Sequence, residues 1–106
     1  MSYKFTVNNN TSGNPTWWLY AGNGEMVAWA GETFASLSNA RRAATAFKVG
    51  AATARYDVYQ DSGGHWRWRA WRSSDKVAAS GESFSSKSNA ERSAENVRIN
   101  AGRADL

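Results

Sequence analysis

The chain has 106 residues, with 13 basic and nine acidic side chains for a net charge of +4, six tryptophans, one proline, one histidine and no cysteine. That length suits a single domain with a real core. Lack of cysteine excludes disulfides, thiol nucleophiles, iron–sulfur clusters and thiolate zinc sites, and one histidine does not build a multi-histidine metal centre.

In chain order, the first strand is expected over Lys4 to Val7, followed by a polar loop with Ser12-Gly13-Asn14-Pro15. A second strand runs from Thr16 to Ala21 and a third from Met26 to Ala30, joined by the turn residues Gly22-Asn23-Gly24-Glu25. A helix then begins near Ser36, with Ala40, Ala44 and Phe47 at three- and four-residue steps. The order repeats: strands at Arg55 to Tyr59, Trp66 to Arg72 and Lys76 to Ser80, then a helix from near Ser86 carrying Ala90, Ala94 and Val97. Either Ser36 and Ser86 or Ser38 and Ser88 cap the helices, and Ser88 with Glu91 has capping-box spacing. Gly50 and Gly102 are expected to release the chain at the helix ends. The alanine stripes let each helix lie close to a sheet whose strands supply the aromatics.

The recurrence is a duplication. At an offset of 50, 12 of the 25 positions from 27 to 51 are identical to those from 77 to 101. The parts before residue 22 align better at an offset of 51, pairing Phe5 with Tyr56, Val7 with Val58 and Trp17 with Trp68. The change of offset then falls in a turn, where an extra residue is cheap; inside a strand it would flip every later side chain. A uniform offset of 50 would pair Trp18 with Trp68 instead. The repeats are set at 1–53 and 54–106, with Ala52 to Tyr56 running straight into the second copy, so the two are expected to share one core.

Gly31-Glu32-x-Phe34-x-Ser36, its counterpart Gly81-Glu82-x-Phe84-x-Ser86-Lys87, the Asn23-Gly24-Glu25 turn and the alanine-bearing helices resemble the YegP-like family, small proteins of unknown function. The resemblance covers about residues 3 to 101. It implies an α+β fold in which two βββαβ units pack about a pseudo-two-fold axis, with an antiparallel sheet, two helices and exchanged post-helix strands. Leu37 stands where the family has lysine, the second copy lacks the Asn-Gly turn, and the last strand has only Arg103 to Leu106 to form from.

Charge divides evenly: 4 basic less 2 acidic groups up to residue 53, and 9 less 7 after it, leave +2 in each half. Such a balance permits attraction to phosphate without requiring it. The N-terminus lacks a signal-peptide core and no window holds 18 apolar residues, so a cytoplasmic protein without membrane contact is expected. No cofactor, metal or catalytic residue is assigned. His65 sits beside Gly63-Gly64 near Asp61 and Ser62, in a loop with little to hold a catalytic geometry. Glu32 and Glu82 occupy equivalent positions, where a carboxylate would accept helix N–H groups.

The segment His65-Trp66-Arg67-Trp68-Arg69-Ala70-Trp71-Arg72 stands out. Strand alternation and the duplication put Trp17, Leu19, Trp68 and Ala70 inward, leaving Trp18, Tyr20, Arg67, Arg69 and Trp71 on the opposite face. Trp66 and Trp29 are expected to fill space where the other copy has Pro15 and Ala79. Aromatic and arginine side chains interleaved on a sheet stabilise it through cross-strand pairs and cation–π contacts. The same pattern serves protein contact or self-association, and it is also what single-stranded RNA or DNA would stack on. The expectation is a non-enzymatic binding or structural module that uses this face for protein contact, with sequence-tolerant nucleic-acid binding as the alternative.

Overall fold

The structure is a computed structural model that describes residues 2–106. The first copy forms β1 (Lys4–Asn9), β2 (Pro15–Tyr20), β3 (Met26–Trp29) and α1 (Leu37–Gly50). The second forms β4 (Arg55–Gln60), β5 (Trp66–Arg72), β6 (Asp75–Ser80) and α2 (Lys87–Asn100), closed by a 3₁₀ turn, Ala101–Arg103. The six strands make one antiparallel sheet in the order β1-β2-β3-β6-β5-β4. Each copy is a three-stranded meander, and the two meet where β3 pairs with β6 through Ala28↔Ser80 and Trp29↔Ala79. The pseudo-two-fold axis passes there.

Registers decide between the two alignments of the copies. Phe5↔Leu19 on β1–β2 matches Tyr56↔Ala70 on β4–β5, and Trp17 and Trp68 are both wholly buried, as the offset of 51 requires. The extra residue of the first copy lies in its hairpin: three residues, Gly22 to Gly24, answer to Ser73 and Ser74, with Ser73 taking a left-handed φ of 55°. Both copies also carry a bulge at the same place. Its extra residues, Val27 and Val77, lie against the core.

Both helices cover one face of the sheet, α1 over β1 and β2, α2 over β4 and β5. They start at Ser36 and Ser86, whose extended backbones turn each hydroxyl to accept the N–H of Asn39 (3.0 Å) and Asn89 (3.1 Å). Helix N–H groups are thus capped by serine, and Glu32 and Glu82 are exposed. α1 ends at Gly50 as expected, whereas α2 ends at Asn100, two residues before Gly102; the residues that follow, Ala51 and Ala101, are both right-handed. Beneath the helices lie Phe5, Trp17, Leu19, Trp68 and a floor of alanines from the middle strands, Ala28, Ala30, Ala70 and Ala78. Small residues there let the helices approach the sheet, and one contiguous core results.

The exchanged C-terminal strand is reduced to a bridge. Asp105 lies beside Lys4 in parallel, its N–H donating to the Tyr3 carbonyl at 2.9 Å and its carbonyl accepting from Phe5 N at 2.7 Å. Ala104 is 97% buried beside it. The first copy has no separate post-helix strand, because the chain leaving α1 becomes β4 after Ala54.

Candidate functional site

Among the described residues, helices cover only one face of the sheet, so the opposite face carries its side chains without a second layer. Three of its cross-strand rows can be traced. The central one runs Thr6, Trp18, Trp29, Ala79, Arg69, Asp57 across all six strands. Beside it lie Lys4, Tyr20 and Met26 in the first copy, and Arg55, Trp71 and Lys76 in the second. Arg67 faces Tyr59 one step further along.

All five residues singled out by sequence, Trp18, Tyr20, Arg67, Arg69 and Trp71, lie on this face and are half-buried. They form two groups. β3 and β6 separate β2 from β5, a span of about 14 Å at ordinary strand spacing. Trp29 fills the gap and belongs to the face rather than to the core, correcting the assignment drawn from its pairing with Ala79. Its neighbours Ala28 and Ala30 are the inward residues. The signal was available in that alternation, but a large apolar side chain between two alanines reads as core unless the helices' need for small residues is recognised.

The two halves of the face differ in chemistry. The first copy supplies adjacent Trp18 and Trp29. The second supplies arginines held in place by their neighbours. Arg69 lies 3.9 Å over the Tyr59 ring and 5.8 Å from that of Trp71, and its Nη2 reaches Asp57 at 3.4 Å. Arg55 also lies 5.8 Å from the Trp71 ring. Packing this tight seals Arg69 Nε and Trp71 Nε1 from solvent without a partner. Arg67 Nε donates to Asp61 Oδ2 at 2.9 Å. Lys76 Nζ donates to the Gly31 carbonyl across the copy boundary at 3.1 Å.

Asp61 is the organiser of the neighbouring loop. Its Oδ1 accepts the N–H groups of Gly63 and His65, both at 2.9 Å, and the Arg67 hydrogen bond, followed by these backbone bonds, holds its carboxyl below the usual carboxylate range. Asp61 therefore faces backbone and Arg67 rather than orienting the exposed His65 ring. On the helix side, a polar cavity of about 480 Å³ between the β2–β3 hairpin and α2 is lined by Glu25, Glu82, Asn89, Arg92 and Asn96. At the equivalent place in the other copy, Arg72 stands where Ala21 is and extends toward Gly50, 3.8 Å from where a Cβ there would sit.

Comparison with known proteins matches the model of a domain of unknown function, DUF1508, to residues 10–57 and again to 61–106. The chain belongs to the DUF1508 family. Two solved structures share its fold: a UPF0339 protein of Shewanella oneidensis and the E. coli protein yegP, itself described as of unknown function. Each superposes with a TM-score of 0.82 at 18% identity over 99% of this chain, covering 89% and 90% of the two relatives respectively. The YegP-like resemblance and the tandem α+β architecture are thereby established. No curated protein matches. Nothing in the DUF1508 description or the two relatives points to an enzyme activity. No helix among the described residues is long and apolar enough to cross a membrane.

Proposed function

We propose that this DUF1508 chain works as one domain of two repeats, 1–53 and 54–106, and is a non-enzymatic binding or structural module whose open sheet face contacts another protein. Trp18, Tyr20, Trp29, Arg67, Arg69 and Trp71 carry the contact. The observation behind this reading is the unbroken row from Trp18 and Trp29 to Arg69, half-buried with no second layer over it. Tryptophan and arginine are the side chains that anchor protein interfaces.

Single-stranded nucleic acid is the second reading, favoured by five cations on the face: Lys4, Arg55, Arg67, Arg69 and Lys76. Against it, Arg67 and Arg69 are already engaged by Asp61 and Asp57. A phosphate would have to displace those carboxylates, whereas a protein surface can meet the paired groups as they stand.

Sedimentation across a concentration series tests the first reading in its self-association form, which predicts association abolished by Trp71→Ala. Titration of an unstructured oligothymidylate tests the second, which predicts a log K against log salt slope of about −2 from Arg55, Arg67 and Arg69. A monomer at every concentration together with salt-sensitive oligonucleotide binding would transfer the face to nucleic acid.

A further inference from the structure

The two repeats each make a groove between a helix and an edge strand, and among the described residues only one of the two is filled. In the first, between α1 and β1, the C-terminal segment lies along the edge. Asp105 bridges Tyr3 and Phe5, and Lys48 Nζ donates to the carbonyls of Gly102 and Ala104, both at 2.8 Å. Phe5 and Ala44 are buried, as is Ala104 of the segment itself.

The second groove, between α2 and β4, has a matching framework. Tyr56, Val58 and Ala94 stand where Phe5, Val7 and Ala44 stand, and Arg98 replaces Lys48. Here the groove is an open volume of about 320 Å³, lined by Ala54, Tyr56, Val58, Ala94, Glu95 and Arg98 together with Glu91. Among the described residues no strand pairs with the outer edge of β4, which exposes the row of backbone groups that Asp105 satisfies on β1. Lacking carbonyls to bind, Arg98 turns to Glu95, donating from Nε at 2.7 Å and from Nη2 at 2.6 Å.

We propose that this second groove is a docking site for an extended peptide segment of a partner protein, added to β4 as a parallel strand in the manner of the chain's own residues 102–105. The occupant carries a small residue, alanine or glycine, where it passes over Ala94. Its carbonyls take Arg98 as Gly102 and Ala104 take Lys48, and its backbone pairs with Ala54 and Tyr56 as Asp105 pairs with Tyr3 and Phe5. Charge decides its flanks. The helix rim bears Glu91 and Glu95 where the filled groove has Arg41 and Thr45, so the preferred segment is basic.

The test uses the full chain, labelled for amide NMR, and the peptide of residues 101–106 (Ala-Gly-Arg-Ala-Asp-Leu) alongside the same peptide carrying Asp105→Lys. The expected result is saturable shifts at Tyr56, Val58 and Ala94 below about 1 mM peptide, stronger for the lysine form. In a chain carrying Glu91→Lys and Glu95→Lys, both exposed positions, the lysine peptide should bind about tenfold more weakly while the spectrum stays dispersed. Absence of saturation, shifts confined to Phe5 and Lys48 or to the open sheet face, or unchanged binding by the double variant would each overturn the proposal.

Discussion

The two copies share strands, register, bulges and serine caps, yet they stabilise their equivalent core tryptophans differently. Trp17 stacks on Phe47 at 5.3 Å with planes 19° apart and meets the edge of Phe5 at 5.4 Å. Trp68 meets Tyr56 edge-on at 5.5 Å and donates its indole N–H to Ser93 Oγ at 3.1 Å. Ser93 corresponds to Ala43, so the indole N–H of Trp17 is buried without a partner. One copy thus buries more aromatic surface and leaves a donor unsatisfied, while the other gives up ring contact and satisfies it. A shared backbone plan tolerates either solution, because each element keeps its size and face.

The largest expected effect tests whether the tryptophans are equivalent at all. Trp17→Ala and Trp68→Ala should each cost about 3 to 5 kcal/mol in urea unfolding, and Trp18→Ala less than about 2 kcal/mol. Equal losses at Trp18 and Trp68 would contradict the register. A smaller effect tests the divergence. Ser93→Ala should cost about 1 to 3 kcal/mol by orphaning the Trp68 donor, whereas Ala43→Ser should gain up to about 1 kcal/mol by giving Trp17 a partner. If both substitutions destabilise equally, the unsatisfied indole is not what separates the halves.

Much of this plan is legible in the sequence, because duplication supplies two independent readings of each element. Phe5 against Tyr56 and Trp17 against Trp68 set the strand faces, and the alanine steps from Ala40 and Ala90 set the helix faces. The face of Trp29 is not legible in the same way, because its strand is only four residues long, too short for alternation to outweigh side-chain size. Of the helix ends, α1 stops at Gly50 as its sequence indicates, whereas α2 stops at Asn100 and tightens into a 3₁₀ turn that runs through Gly102, because Ala101 continues in right-handed conformation. Of the candidate face, membership was readable from period-two alternation. Its division into an aromatic and an ionic half was not, since that depends on β3 and β6 lying between β2 and β5. Nor does any local pattern announce that Asp105 closes one edge, a contact about a hundred residues apart in the chain.

That closure is the sharpest difference between the halves, and amide hydrogen exchange measures it directly. Phe5 and Tyr56 occupy the same register position on opposite edge strands, but only the Phe5 N–H is bonded across its edge, to Asp105. Phe5 should be protected about a hundredfold more than Tyr56. Equal protection at the two amides would mean that both edges are closed or both are open, and would contradict the account.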